Sequence, residues 1–412
     1  MEATPLVAIS FTLLISFLFS EVATHFKYPR VLGQILAGAL IGLPIFKVII
    51  TEGSMMDIEF LAEIGVIFLF LVIGMEMNLE HLKAERKRSL IIGLFSIGTP
   101  LVFGYFAGQW LGYSNLTSLV IGVCLAISSE ATNSQLFMEM GLIKKRLAKV
   151  LFGSALVDGL FAILFLTFLI PYLEGSIEDV AAIPIQILAF AGVIWGLTKL
   201  MPYLVNHIEK DESNVAEVAM IMIFGLLVAV LSLQLGLGEI IGALLAGMIM
   251  QGSLKHKCSE TCGDLKREHQ RHRRFLQRSA QSLKIMTLGF IIPFFFINMG
   301  LQLDVTTIAA NPMVLAVILV AGTLGKLLAA VLAKPWTKFN WPQTSIVGWA
   351  MNSRGTLELV IAEVALTHSI IDAEVYGSLV IMVLVTTISF PFFLKAIIKK
   401  NPTAMSLRGI PK

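Results

Sequence analysis

Three ionisable residues lie inside stretches of the chain that are otherwise apolar enough to sit in a membrane. Asp158 falls within residues 150–166, and Glu130 and Lys326 occupy similar stretches. An ionised side chain near the centre of a transmembrane helix costs about 2.5–3.5 kcal/mol on insertion scales, so it is retained where it has a partner or a function. Two acids and a base placed in this way predict a pathway for ions or protons.

Composition assigns these residues to an integral membrane protein. Of the 412 residues, 56% are hydrophobic and 14% are charged, and the mean hydropathy is +0.83. Since a helix needs about 20 apolar residues to cross the hydrocarbon core, the apolar runs predict an all-α polytopic fold of about thirteen transmembrane helices. The predicted spans are residues 3–20, 29–46, 57–77, 89–112, 116–137, 146–173, 180–200, 215–234, 236–252, 283–302, 310–333, 344–367 and 373–396.

The charges of the loops predict the orientation of the spans. Lysine and arginine are concentrated in alternate loops, and acidic or uncharged loops fall between them. By the positive-inside rule, the N-terminus lies outside and the C-terminus inside, which requires an odd number of spans. The sequence contains no GxGxxG or GxxxxGK[ST] phosphate-binding loop, so a nucleotide-binding domain is not expected.

An internal repeat links the two halves of the chain. Residues 66–78 align with residues 292–304, and residues 33–40 align with residues 238–247. The paired segments lie seven spans apart, and an odd offset reverses the orientation, so the halves are inverted repeats, as in many secondary transporters. Chance similarity between helices rich in glycine, leucine and phenylalanine is the alternative, but the preserved order of the pairs favours a repeat.

The repeat divides the chain into predicted domains. We expect a first repeat at residues 1–173, a linking span and loop at 174–214, and a second repeat at 215–398. Residues 399–412 are expected to form a short cytoplasmic tail, without a soluble regulatory domain.

The same offset pairs the fifth span with the twelfth, and both contain a polar break. The fifth span carries a polar run at residues 128–134, and the twelfth carries one with a glycine at residues 351–358. Unwound backbone is tolerated in a membrane only where it is buried in protein or lines water. Both helices are therefore predicted to be discontinuous. Glu130 beside helix N-termini, and Arg354 or Lys326 beside C-termini, would neutralise the half-helix ends.

Four short motifs follow one another along the chain: Tyr28-Pro-Arg-Val-Leu-Gly-Gln-Ile-Leu-Ala-Gly, Leu61-Ala-Glu63-Ile-Gly-Val-Ile-Phe-Leu-Phe, Pro293-Phe-Phe-Phe-Ile-Asn-Met-Gly-Leu and Asn352-Ser-Arg354-Gly-Thr-Leu-Glu358-Leu-Val-Ile-Ala. In their order and spacing they resemble the monovalent cation:proton antiporter-2 family, the Kef-type and Nap-type antiporters. The resemblance extends over nearly the whole chain.

The resemblance implies a Nap/Nha antiporter-like fold with two inverted repeats and crossed discontinuous helices. It also implies a secondary active antiporter that exchanges Na+ or K+ for protons by alternating access, in the cytoplasmic membrane of a prokaryote. A rigid core containing the fifth, sixth, eleventh and twelfth spans would move against a dimerising scaffold. On this basis we expect a homodimer in lipid, with no enzymatic activity, no cofactor and no nucleic-acid partner.

The resemblance also assigns residues of the sixth span. Family members carry two adjacent polar residues there, of which the second is an acid that binds the cation; where the first is also an acid, it pairs with a lysine. Asp158 matches the first position and Lys326 matches the lysine, but Gly159 occupies the second position.

Glu130 is the predicted replacement for the acid that is absent at Gly159. We hypothesise that the carboxylate has moved from the sixth span to the fifth. A partly dehydrated Na+ or K+ requires oxygen ligands, and the neighbouring side chains that supply them are those of Ser129, Thr132 and Asn133.

Structural interpretations of the same residues remain open. Asp158 and Lys326 are alternatively a buried salt bridge without a transport role, and Glu130 is alternatively the charge partner of Arg354. Arg354 is interpreted as compensating the charge of the half-helix ends at the crossing. Glu358, four residues further on, is interpreted as its partner in that compensation.

The basic loop at residues 252–282 carries side chains that weakly suggest a metal site, and these are Cys258, Cys262, His269 and His272. The alternative is a solvated basic loop that faces anionic lipid, which its many lysines and arginines favour.

Three other functions compete with antiport. One is a Kef-type potassium efflux channel or transporter that needs a separate regulatory subunit, and another is a transporter of a different metal cation. The third is an intramembrane aspartyl protease, which is disfavoured because it needs paired aspartates on facing helices.

Overall fold

The computed structural model describes residues 5–26, 28–43, 52–76, 85–129, 145–174, 214–235, 239–253, 281–303 and 311–406, with single positions between 133 and 142 and between 192 and 199. Regular structure in these ranges is entirely helical, as the composition predicts.

Seven helices of the described ranges are long and apolar enough to cross a membrane, and four shorter apolar helices accompany them. The expected all-α polytopic fold is confirmed. The span predicted at residues 180–200 lies almost wholly outside these ranges, so the count of thirteen stays a prediction. The helices are α1 (Pro5–His25), α2 (Arg30–Ile41), α3 (Glu52–Glu76), α4 (Arg86–Trp110), α5 (Asn115–Ala126), α6 (Arg146–Glu174), α7 (Asn214–Gln234), α8 (Glu239–Ser253), α9 (Gln281–Leu301, with a π-helical turn at Thr287–Ile291), α10 (Pro312–Thr337), α11 (Trp341–Met351), α12 (Thr356–Thr367) and α13 (Ala373–Lys400).

Two of the predicted spans are interrupted where the sequence becomes polar. Helix α5 ends at Ala126 because Ile127 is extended, with φ −87° and ψ 143°. Helix α11 ends at Met351, and α12 begins at Thr356 after an extended Gly355. The predicted break in the twelfth span is confirmed. The fifth span, predicted as residues 116–137, stops being helical at Ala126, where the side chains of Arg354 and Lys326 donate to the last carbonyl groups of the helix.

Packing divides the chain into two units, and each unit takes helices from both halves of the sequence. Unit 1 comprises Met1–Thr24, Gly33–Met77 and Leu166–Leu301. Unit 2 comprises His25–Leu32, Asn78–Phe165 and Gln302–Lys412. The predicted repeat boundaries follow the order of the sequence rather than this packing, and they stay a prediction.

Two backbone crossings in unit 1 have the reciprocal form expected of a repeat. Gly74 of α3 meets Gly247 of α8, and a Cβ added to either glycine would overlap a carbonyl oxygen of the other helix. Gly38 of α2 and Gly300 of α9 cross in the same manner. At these crossings only glycine lets the helices approach to backbone distance.

The crossings also set the register of the repeat. Gly33 lies against the backbone of α1 at Phe19, and Gly242 lies against the backbone of α7 at Val228. Gly33 therefore corresponds to Gly242, because each glycine precedes its crossing glycine by the same number of residues. This pairing lies within the aligned segments 33–40 and 238–247, which differ in length by two residues.

An ionic cluster joins helices of unit 2 at the start of α4. Glu85 accepts hydrogen bonds of 2.7 Å from Arg88 Nη1 and from Arg146 Nε of α6. Arg88 Nε also donates to Thr337 O at the end of α10, at 3.4 Å. Burial would raise the pKa of Glu85, but the two arginines outweigh it, so this pKa lies below its ordinary value. The carboxylate therefore stays ionised and holds these helix ends together.

Replacing Gly247 by alanine is expected to destabilise unit 1, because the added Cβ would overlap the backbone of α3. Overpacking costs about 1–3 kcal/mol, which exceeds the gain of about 1 kcal/mol from the higher helix propensity of alanine. The thermal midpoint of the detergent-purified protein, followed by size-exclusion chromatography after heating, should fall.

Gly98→Ala in α4 is the matched control, since nothing lies within 4 Å of its added Cβ. Its midpoint should equal or exceed that of the wild type. A Gly247→Ala protein as stable as Gly98→Ala would contradict the close crossing of α3 and α8.

Candidate functional site

The two helix breaks of unit 2 are joined directly by hydrogen bonds. Ser129 N donates to Ser353 O at 2.9 Å, and Ser353 Oγ donates to Ser129 O at 3.1 Å. Ser128 Oγ donates to Met351 O at 2.9 Å. A Cβ at Gly355 would lie 2.7 Å from Ser129 Cβ, so this glycine allows the two chains to approach. The two interrupted helices thus cross at their breaks.

Arg354 satisfies the carbonyl groups at the end of α5. Its Nη1 donates to Leu125 O at 2.7 Å and to Ile127 O at 3.0 Å, and its Nη2 donates to Gly322 O of α10 at 3.3 Å. The side chain is only 1% exposed. Because a helix C-terminus carries a partial negative charge, a buried guanidinium is well matched to it.

Asn133 performs the corresponding task for α11. Its Nδ2 donates to Ala350 O at 3.0 Å and to Ser353 Oγ at 2.7 Å. The amide oxygen of this buried residue has no hydrogen-bond partner among the residues that the structure describes. The nitrogen is committed to the crossing, and the oxygen is available as a ligand.

Asp158 and Lys326 form a fully buried ion pair beside the crossing. The distance from Lys326 Nζ to Asp158 Oδ2 is 3.3 Å, and both side chains have 0% exposure. Asp158 Oδ2 also accepts a hydrogen bond from Ser96 Oγ at 3.1 Å. Asp158 Oδ1 is buried and lacks a hydrogen-bond partner within the described ranges. One carboxylate oxygen is therefore engaged, and the other can take a ligand.

The ammonium group of Lys326 lies in a cage of oxygen atoms. Its Nζ contacts Ser96 Oγ at 2.7 Å, Ser128 Oγ at 2.8 Å and Ser96 O at 3.1 Å, and it also donates to Ala126 O. With Asp158 Oδ2 these make five oxygen atoms around the nitrogen. An ammonium has only three protons to donate, so the cage resembles the coordination of a cation more than a set of hydrogen bonds.

Small residues bring the helices of this cage together. Gly325 of α10 packs against Pro100 of α4, where an added Cβ would lie 2.9 Å from Pro100 Cα. Gly93 of α4 faces Val157 of α6, where an added Cβ would lie 2.7 Å from Val157 Cβ. These contacts bring Lys326 and Asp158 together beside Ser96.

Glu358 is a second buried carboxylate near the crossing. It lies in the first turn of α12 and has 0% side-chain exposure. Its Oε2 is 3.6 Å from Arg354 Nη1, and neither of its oxygens accepts a hydrogen bond from a described residue. Gly159, in contrast, has room for a side chain, since an added Cβ would meet only Leu357 Cδ1, at 3.7 Å.

Of the residues singled out in the sequence, the structure brings together Asp158, Lys326, Ser129, Asn133, Arg354 and Glu358. Glu130 and Thr132 lie outside the described residues, as do Cys258, Cys262, His269 and His272. In the part of the chain that is described, no three histidine, cysteine or acidic side chains are grouped to hold a metal. The sequence did not identify Ser96, because a single serine in an apolar helix carries no distinguishing pattern.

Two curated relatives align over nearly the full length of the chain. An Na(+)/H(+) antiporter of Enterococcus hirae is 25% identical over 386 residues, which cover 92% of this chain and 94% of that protein. The Na(+)/H(+)-K(+) antiporter GerN of Bacillus cereus is 26% identical over 393 residues, which cover 94% of each.

A solved structure shares the fold. The sodium proton antiporter MjNhaP1 of Methanocaldococcus jannaschii, at pH 8, superimposes with a TM-score of 0.68 at 16% identity, over 98% of this chain and 99% of that one. This likeness confirms the antiporter-like architecture.

The family itself is established by a match over most of the sequence. Residues 9–400 match the family model described as "Sodium/hydrogen exchanger, transmembrane". The narrower assignment to the antiporter-2 branch stays a prediction. With its buried ion pair at a crossing of interrupted helices, the chain belongs to the sodium/hydrogen exchanger family.

Proposed function

We propose that this protein exchanges Na+ or K+ for protons across a membrane by alternating access, and that Asp158 and Lys326 are the exchanging pair. The observation that carries the proposal is their fully buried ion pair, in which one oxygen of Asp158 is left without a described hydrogen-bond partner. A buried acid and base inside a membrane domain are typical of ion and proton pathways. The names of the relatives, which are Na+/H+ antiporters, point to the same class of substrate.

The oxygen cage around Lys326 supports binding of a monovalent cation. Na+ and K+ are hard ions that prefer carbonyl, hydroxyl and carboxylate oxygens, and these are the groups that surround the ammonium nitrogen. The lysine ammonium and the transported cation would therefore compete for the same ligands. When Lys326 withdraws or loses its proton, Asp158 and the serine oxygens become available to the ion.

The charge of the pair explains why cation and proton fluxes are coupled. Ionised Asp158 and Lys326 together are neutral, and a cation that entered beside them would leave a net charge in a dry interior. Such a charge is strongly unfavourable. Release of one proton restores neutrality, so we propose an exchange of one proton for one cation.

Glu130 is proposed as an additional ligand of the ion, together with Ser129, Thr132 and Asn133. Support comes from the position of Ser129 at the break of the fifth span and from the unpartnered amide oxygen of Asn133. Arg354 then serves to hold the helix ends around this site. We further propose a homodimer in the cytoplasmic membrane of a prokaryote, which needs no cofactor.

Asp158→Asn is expected to abolish exchange, because an amide cannot alternate between a proton and a cation. In proteoliposomes loaded with a pH-sensitive dye, Na+, K+ or Li+ should dissipate a proton gradient with the wild type but not with this variant. Glu130→Gln should also abolish the response if its carboxylate is a ligand.

Glu59→Gln, which alters an exposed acid of unit 1, is the control and should behave as the wild type. Normal exchange by Asp158→Asn would refute the proposed pair, and normal exchange by Glu130→Gln would exclude Glu130 from the site. A wild type that conducts K+ without moving protons would indicate a channel instead.

Lys326→Met is expected to lower the thermal midpoint, since removing one partner of a buried ion pair costs about 3–5 kcal/mol. The double variant Asp158→Asn/Lys326→Met removes the uncompensated charge and should recover most of that stability. It should nevertheless fail to exchange ions in the proteoliposome assay. Exchange by the stable double variant would show that the pair is only structural.

Exchange of one proton for one cation should be electrically silent. With equal pH and equal Na+ concentrations on both sides, a membrane potential set with valinomycin and a K+ gradient should drive no Na+ uptake into proteoliposomes. The ionophore alone, in liposomes without protein, gives the background. Potential-driven uptake would show that the ratio is not one to one.

A further inference from the structure

We propose that Glu358 sets the cation affinity of the exchange site by balancing the positive charge of Lys326 and Arg354. The inference rests on the proposed exchange at Asp158 and Lys326. It adds a residue whose negative charge changes the electrostatic potential at the bound cation. Glu358 would be a positioning residue for the ion, in addition to any contact with Arg354.

The hydrogen bonding of Glu358 is unusual for a buried carboxylate. Both of its oxygens are inaccessible and accept no hydrogen bond from the described part of the chain. Most buried polar atoms in proteins have a hydrogen-bond partner, and an exception calls for an explanation. A buried carboxylate without hydrogen-bond donors is suited to interact with a nearby positive charge.

The ion pair with Arg354 does not by itself account for Glu358. The separation of 3.6 Å between Arg354 Nη1 and Glu358 Oε2 exceeds hydrogen-bond range. The same nitrogen already donates to Leu125 O and Ile127 O at the end of α5. Arg354 is therefore oriented by the helix end, and the carboxylate lies beside it as a counter-charge.

The charges of the described crossing balance only when Glu358 is ionised. Lys326 and Arg354 contribute two positive charges, and Asp158 and Glu358 contribute two negative charges, all from side chains that are at most 1% exposed. Glu358 lies within electrostatic range of both cations. Without its charge, these residues would carry a net positive charge and would repel an incoming cation.

The charge of Glu358 depends on whether its carboxyl group carries a proton. The ionisable groups that face it are Arg354, Lys326 and the thiol of Cys124. Its position in the first turn of α12 adds the partial positive charge of a helix N-terminus. A proton on Glu358 would remove its charge, so cation affinity should fall as the pH decreases.

A substitution at Gly159 offers a way to supply a negative charge from a position other than 358. Among the described residues, the only neighbour within 4 Å of an added Cβ is Leu357, the residue before Glu358. An aspartate at position 159 would therefore bring a negative charge towards the same turn of α12, without the contact between Glu358 and Arg354. Position 159 is also where the resemblance places a cation-binding acid, so Gly159→Asp is measured alone as well. If charge balance decides KM, this substitution should lower KM more in the Glu358→Gln background than in the wild type.

The experiment measures KM and maximal rate for Na+ and K+ in proteoliposomes. Glu358→Gln is expected to raise KM about tenfold or more with a maximal rate within about threefold of the wild type. Glu358→Asp, which keeps the charge, should retain the wild-type KM. Glu358→Gln/Gly159→Asp should restore a low KM. The acid-side rise of KM should be smaller in Glu358→Gln than in the wild type, because only the competition of protons at Asp158 is left.

An unchanged KM in Glu358→Gln would overturn the inference. The inference would also be overturned if Glu358→Gln lowered the thermal midpoint and if adding Gly159→Asp did not restore the KM. That result would assign Glu358 to structural support. Cation-dependent stabilisation in detergent reports binding without transport. If the wild type is stabilised by Na+ or K+ but exchanges no protons, the proposed function fails, and loss of that stabilisation in Glu358→Gln would still support the inference.

Discussion

The structure of unit 2 depends on the need to satisfy carbonyl groups where helices stop inside a membrane. A helix end leaves its last carbonyl groups without intrahelical partners. In the hydrocarbon region no water is present to donate hydrogen bonds to them. At the end of α5 this need is met by Arg354 and by Lys326, which donates to Ala126 O. The positions of the two buried cations therefore follow from a requirement of the backbone.

The two helix ends are capped differently, although the halves of the chain are predicted to be repeats. The end of α11 is served by neutral groups, Asn133 and Ser128, whereas both cations gather at the end of α5. The acids Asp158 and Glu358 lie close to Lys326 and Arg354, because two unbalanced positive charges could not remain buried together. This asymmetry explains why the buried charges of the described crossing are grouped at the end of α5.

The sequence predicts the spans and the breaks because each rests on local composition. Apolar length predicts the helices, and polar runs with a glycine predict where α11 and α12 separate. The site is less predictable, because its contacts join residues far apart in the chain. Ser96 could not be recognised from a single hydroxyl, and nothing local indicates that Gly159 faces the turn that carries Glu358. The register of the repeat needs the crossings as well, since residues 33–40 and 238–247 differ in length and a helix shifted by about four residues presents the same apolar face.

The glycine crossings of unit 1 are rigid, and they tolerate substitution poorly. Where Gly74 meets Gly247, and where Gly38 meets Gly300, the helices touch through their backbones, so one cannot slide along the other without first separating. Such a contact resists deformation. The contact also leaves no space for a side chain at the crossing positions. Every amino-acid substitution at these glycines therefore disrupts the packing of the two helices. We therefore expect natural variants of this protein to differ freely on the outer faces of α3 and α8, but to keep the glycines at which they cross.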